Sequence, residues 1–274
     1  MPRNYAIIAL AVVSGSVLFG ALAASQHSPS NASTAPSKAA KTKAGRAPIL
    51  VELFTSEGCS SCPPADALLM KLKREQANDG AEIIALSEHV DYWNSRAWAD
   101  PYSSPTFTKR QEDYVKALHI DSGYTPQMVV DGGEEFIGSD DGNAASAIEK
   151  AAKSAKTNVA ATGEVKGDSL QLKIKIAPVI GLSAGDKAEI MLAITEDNLH
   201  SQVVGGENSG RRLNHVGVVR ELRNLGAASK NAGFETTFAA PLKSHWKRSD
   251  LQAVVFVQAQ DSRRILGAAA LAVK

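Results

Sequence analysis

Residues 49–64, ILVELFTSEGCSSCPP, decide the fold. Ile49 to Phe54 is a short, mostly apolar run that reads as a buried strand. The pair Cys59 and Cys62 follows at once, and Pro63-Pro64 suits the first turn of a helix, where a missing N–H costs nothing. Ala65 to Gln76 then carries Ala65, Leu68, Leu69 and Leu72 at helical spacing, with Asn78-Asp79-Gly80 as its stop. Ala81 to Ser87 (AEIIALS) is a second apolar run of strand length. Strand, helix and strand in so short a span predict a βαβ unit with parallel strands and a right-handed crossover.

These are the only two cysteines among 274 residues. A pair three apart closes a tiny loop, so as a staple it contributes little through loop entropy. A structural zinc site needs two further ligands, and neither a second cysteine pair nor a histidine pair at ligand spacing is present. Copper needs fewer ligands, and Cys59, Cys62 and His89 form one candidate soft set. Between strand and helix, Cys59 sits near the helix start, which favours a thiolate, and Cys62 sits about one turn on, where it can resolve a mixed disulfide.

Moving outward, Glu88 to Thr106 is rich in aromatics, Asp, Asn and Pro and reads as an ordered loop. Phe107 to Leu118 follows as a helix. Thr125-Pro126 leads into the strand Gln127–Val130, Asp131-Gly132-Gly133 turns the chain, and Glu135–Gly138 returns. Asp140 or Asp141 caps a helix over Asn143–Lys156. Beyond that, period-two segments run at 159–165, 170–176, 188–195, 216–222, 234–239, 251–258 and 265–273. They predict an all-β, sandwich-like second part. The expected order is an α/β domain over 48–156, with an insertion at 88–122, then a β domain over 157–274.

The first residues carry an export signature: Arg3, an apolar run from Tyr5 to Leu22, and Ala21-Leu22-Ala23 as a cleavage site. Residues 1–24 are thus expected to be a signal peptide, and 25–47, made mainly of Ser, Ala, Pro and Lys, a flexible linker. Such a chain works in the periplasm or outside the cell, where disulfides persist; a membrane-anchored form is the alternative. With a net charge of +1 and interspersed signs, nothing points to nucleic acid. No cofactor motif is present: Gly205–Arg212 is glycine-rich but lacks the Gly-Lys-Ser/Thr ending of a phosphate loop. With Asn214 and His215 it reads as an ordered loop between strands that packs toward the first domain, where Arg211 or Arg212 pairs with an acidic loop residue.

This order of elements resembles the thioredoxin-like fold. VELFTSEGCSSCPPAD (51–66), ALSEHVDYWNSRAWADPYSSPTFTKRQ (85–111), GYTPQMVVDG (123–132), GSD (138–140) and GENSGRRLNHVGVVREL (206–222) are similar to the secreted thioredoxin-like family DUF1223. The resemblance implies that Cys59 is the nucleophile, Cys62 the resolving thiol and Pro126 a cis-proline that exposes the Thr125 backbone to substrate. The sequence departs from ordinary thioredoxins in lacking a tryptophan before Cys59 and in having Ser60-Ser61 between the cysteines.

Several other residues are candidates. Glu52 is a carboxylate within an apolar strand, and Glu57 lies just before the pair; either is a proton relay or a paired structural group. His89, Asp91 and Trp93 follow the second strand, where α/β sheets commonly place ligand groups. His89 and Trp93 are substrate contacts or, with Tyr92, Trp98 and Tyr102, the insertion's own core. The expected function is an exported thiol–disulfide oxidoreductase acting on protein or small-molecule thiols. The alternatives are a peptide- or protein-binding module and a copper-handling protein.

Overall fold

Along the first strand Ile49, Val51 and Leu53 alternate with Leu50, Glu52 and Phe54, and none of these side chains reaches solvent. Period-two alternation sends the two sets to opposite faces, so this strand is covered on both sides. A computed structural model describes residues 46–76 and 80–273. The expected signal peptide, nearly all of the expected linker, and Asn78 and Asp79 of the expected helix stop lie outside the described residues.

The elements run β1 (Ala47–Thr55), α1 (Pro63–Glu75), β2 (Ala81–His89), α2 (Pro105–Leu118), β3 (Gln127–Val130), β4 (Glu134–Ile137) and α3 (Asp141–Ala152). The rest is extended: β5 (Val159–Lys166), β6 (Ser169–Ile176), β7 (Ala188–Glu196), β8 (Leu199–Gln202), β9 (Arg212–His215), β10 (Val218–Ala228), β11 (Phe234–Pro241), β12 (Leu251–Ala259) and β13 (Ile265–Ala272). β1 pairs in parallel with β2 and antiparallel with β3, and β3 pairs antiparallel with β4. This is the βαβ-ββα order expected of a thioredoxin-like unit. Asp140 caps α3, its side chain accepting from Asn143 N.

An α/β first part is followed by a larger, β-rich second part, as expected from the sequence. The sheet nevertheless does not stop near residue 156. One eight-stranded sheet runs β13-β12-β7-β10-β2-β1-β3-β4, so strands of the second part extend the sheet of the first. The join is narrow: Val218 of β10 registers with Ser87 of β2, and Ser87 N donates to Gly217 O at 2.8 Å. The sandwich character is genuine. The three-stranded sheet β11-β6-β5 covers one face of β7, β12 and β13, and Leu170, Leu172, Ile174, Leu192, Val255 and Leu271 fill the space between. The period-two pattern identified the strands but carried no record of which sheet each would join. Two short strands that it missed, β8 and β9, form a hairpin of their own. Among the described residues no helix is long and apolar enough to cross a membrane.

Candidate functional site

Helix α1 begins directly at the cysteine pair. Cys62 is its N-cap, Pro63 and Pro64 occupy the first turn, and Cys62 O accepts from Ala65 N (2.9 Å) and Asp66 N (3.1 Å). The two cysteines are joined as a disulfide with Cα atoms 5.4 Å apart. Cys59 lies in the turn before the helix, held by Cys59 N to Ser56 O and Cys62 N to Cys59 O, both 3.2 Å. The expected placement shifts by one turn: Cys62, not Cys59, marks the start of the helix. The two prolines also remove first-turn N–H groups, so α1 offers Cys59 its dipole but few free amides.

The chain around residue 126 approaches the first turn of α1. The Thr125–Pro126 peptide bond is cis. Pro126 O accepts from Gly138 N at 2.9 Å, and Gly138 explains how α1 and the proline come so close. A Cβ at Gly138 would stand 2.7 Å from Leu53 Cδ1, 3.1 Å from Ala65 Cβ and 3.2 Å from Pro126 Cβ. Trp93 makes a second approach. Its indole Nε1 donates to Thr125 Oγ1 at 2.7 Å, and its Cβ stands 3.1 Å from where a Gly58 Cβ would lie. Trp93 thus joins Thr125 to Gly58, the residue before Cys59, and Gly138 joins Pro126 to Ala65 in the first turn of α1.

Beneath the pair lies a buried group of carboxylates and imidazoles drawn from distant parts of the chain. Glu57 Oε1 is 3.1 Å from His215 Nε2, Glu57 Oε2 accepts from Trp98 Nε1 at 3.2 Å, and Glu57 N donates to Asp100 Oδ2 at 2.8 Å. His89 Nδ1 lies 2.7 Å from the same Asp100 oxygen. The His89 and His215 rings meet edge to face at 4.8 Å, with Tyr102 against both. Asp66, one helical turn after Cys62, accepts from Thr55 Oγ1 at 3.0 Å and faces His215 Nδ1 at 4.0 Å. Among the described residues, neither His89 Nε2 nor His215 Nδ1 has a hydrogen-bond partner.

Two carboxyls in this group are driven apart. Burial pushes Asp66 up to about 6 despite the opposing pull of His215 and the Thr55 hydroxyl. Burial also acts on Asp100, but His89 and the amides of Glu57 and Tyr102 outweigh it and hold the carboxyl at about 2. The native chain therefore keeps the Asp66 proton between pH 3.8 and about 6, where the unfolded chain has lost it. Stability from this group falls across that window and stays low above it. Asp66→Asn, which keeps an acceptor for Thr55, is expected to stabilise the fold by about 2 kcal/mol at pH 7 and to change little at pH 4. Urea unfolding at the two pH values reads the difference.

Other expected site residues are placed elsewhere. Glu52 points to the α2 face of the sheet, away from α1, and receives Arg110 Nη2 at 2.6 and 3.0 Å. Arg110 Nε also stands 3.2 Å from Glu88, and Tyr114 and Gln258 complete this buried network. Glu52 is thus the paired structural carboxylate, because a guanidinium on α2 already holds it. His89 has no exposed surface and is held against Asp100 and the His215 ring. The copper set is also not assembled: among the described residues no three His, Cys, Asp or Glu side chains are placed to hold one metal ion.

The second part of the chain supplies the residues that sequence reasoning left unassigned. The β8–β9 hairpin carries His215 at its base and the loop 203–211 at its tip. From that tip, Asn208 Nδ2 donates to Glu57 O at 2.9 Å and to Cys59 O at 2.8 Å, while Glu207 Oε2 accepts from Ser60 N at 3.0 Å. The signal available was the unexplained block GENSGRRLNHVGVVREL. Asp66 and Asp100 had no distinguishing signal, since an Asp near a helix start or in a polar loop is ordinary.

Residues 50–258 match the family model described as a protein of unknown function, DUF1223. No curated protein matches the chain. Among solved structures, the chain is similar to protein AGR_C_4864 of Agrobacterium tumefaciens, with 26% identity, a TM-score of 0.63 and coverage of 84% of this chain and 96% of that one. It is also similar to HBP35 of Porphyromonas gingivalis, with 17% identity, a TM-score of 0.61 and coverage of 83% and 76%. The latter likeness concerns the fold alone. A disulfide-forming C-x-x-C pair on a thioredoxin-like fold supports a redox-related role.

Proposed function

We propose that this chain, which belongs to the DUF1223 family, is an exported thiol–disulfide oxidoreductase working through Cys59 and Cys62. The observation that carries the reading is the Cys59–Cys62 disulfide at the start of α1, with the buried carboxyl of Asp66 one turn further along the same helix. A substrate thiolate attacks Cys59 Sγ, the Cys59–Cys62 bond breaks, and the electron pair leaves on Cys62. A second substrate thiolate then attacks the substrate sulfur of the mixed disulfide and releases Cys59. Two substrate thiols become one disulfide, the protein pair becomes two thiols, and the two protons pass from the former to the latter. The same steps run in reverse reduce a substrate disulfide.

Within this reading each neighbour has a task. A buried thiolate on Cys62 is costly, and Asp66, a turn along the same helix, is the group assigned to exchange its proton. Thr125 lends its backbone to an extended substrate segment, with Trp93 holding its side chain. The expected export signature at Arg3 and Tyr5–Leu22 supports a site of action outside the cytoplasm.

Equilibration with glutathione buffers tests the reading. The pair is expected to titrate between about −120 and −270 mV, the range spanned by redox-active thioredoxin-like pairs. A potential below about −300 mV would mark an inert structural bond instead. That result would favour a second reading, a peptide- or protein-binding module, which draws on the complete burial of both cysteines.

A further inference from the structure

A redox pair has to be reached, yet Cys59 and Cys62 are both 0% exposed. Ser60 and Ser61 between them are exposed, so the pair lies just under the surface rather than in the deep core. What rests on it comes from the other half of the chain. The loop 203–211 closes on itself through Val203 N to Arg211 O at 2.9 Å and Gly210 N to Val203 O at 2.8 Å. Its centre, Asn208, is 0% exposed and spends both side-chain ends on fixed partners. The amide donates to the carbonyls of Glu57 and Cys59, and Arg211 Nη1 donates to its oxygen at 2.8 Å. Glu207 adds a contact to Ser60 N at the rim. On its other flank the loop lies against the insertion, where a Cβ at Gly205 would stand 2.0 Å from Ala97 O.

We infer that the loop 203–211, with Asn208 as its latch, gates the Cys59–Cys62 pair, so that exchange requires the loop to lift and a protein partner requires a larger lift than a small thiol. The inference rests on the redox reading of the pair. It adds a specificity-determining residue contributed from outside the thioredoxin-like unit. The latch is polar and side-chain based. Breaking it raises the population of the open loop without altering the sulfurs, and reactivity follows that population when opening is fast.

The test uses the folded, oxidised full chain with two reductants, dithiothreitol and a reduced thioredoxin, and follows thiol appearance by acid quench and alkylation. Asn208→Ala is expected to accelerate reduction by dithiothreitol at least about tenfold, since it removes three side-chain hydrogen bonds and loss of one ordinary hydrogen bond alone changes the open population by roughly two- to tenfold. The gain with thioredoxin should be at least as large, because the protein reductant is the more strongly excluded. Glu207→Ala, at an exposed side chain, should give a smaller acceleration in the same order and carries the decision if Asn208→Ala fails to fold. Native rates in both variants equal to those of the parent, or a parent reduced as fast when folded as in guanidinium, would overturn the gate. The equilibrium position with glutathione should be the same in parent and variants. Failure of the redox reading appears in that equilibrium, and failure of the gate appears only in the rates.

Discussion

A Cys62→Ser variant is expected to accumulate a partner covalently through Cys59, whereas Cys59→Ser accumulates none. Both changes should lower turnover of a disulfide substrate by about a thousandfold or more, since residues that act as a unit fail together. The chain holds no other thiol to substitute. The asymmetry follows from the surroundings and not from exposure, which is nil for both sulfurs. Cys59 adjoins the exposed Ser60 and Ser61, with Ser61 Oγ 3.3 Å from its sulfur. Cys62 caps α1, followed by Pro63 and Pro64, and has Asp66 on the inner side one turn later. An incoming sulfur meets Cys59 first, and within the protein only Cys62 can displace it. Non-reducing electrophoresis of the two variants, expressed in an oxidising compartment, reads the outcome. Equal trapping by both, or by neither, would remove the assigned roles.

Removing the guanidinium of Arg110 should produce the largest loss of stability. Arg110 lies between the carboxylates of Glu52 and Glu88, and all three are buried. Burial, followed by the nearby Glu52, pushes Glu88 up to about 8 even with Arg110 pulling the other way. Arg110→Met fills similar space but leaves two carboxyls without their principal cation. That costs about 3–5 kcal/mol, or roughly 10 °C in melting temperature for a chain of this size. The sign of the pH dependence follows from the raised value. Glu88 in the folded chain keeps its proton from pH 4.5 to about 8, where the unfolded chain has released it, so its contribution weakens as pH rises through that window. Arg110→Met removes the cation that opposes this rise, so the deficit should be larger at pH 9 than at pH 5, and Glu88→Gln should recover part of it at pH 9. A deficit independent of pH would mean that packing, and not charge, sets the cost.

These two clusters occupy opposite faces of β1, and they were legible to different degrees. Glu52 stood out as a carboxylate in an apolar strand, but nothing nearby in sequence indicated that Arg110, 58 residues away, would hold it. His89 was visible because it ends a strand, and its burial was not. Trp93 and Thr125 are separate candidates in the sequence, and the hydrogen bond that joins them depends on how the insertion folds back.

The sequence by itself determined the local grammar: strand, C-x-x-C, helix and strand, the hairpin after Pro126, and the alternating strands from Val159 onward. Those features arise from periodicity, proline and capping, which act over a few residues. Only the tertiary structure decided what lies above and below the disulfide. Asn208 reaches Cys59 across 149 residues and His215 reaches Glu57 across 158. Both depend on one sheet continuing from β2 to β10 and on a hairpin too short to register in the hydrophobic pattern. Contacts at such separation come from strand pairing and burial over the whole fold, and they leave no local periodicity to read.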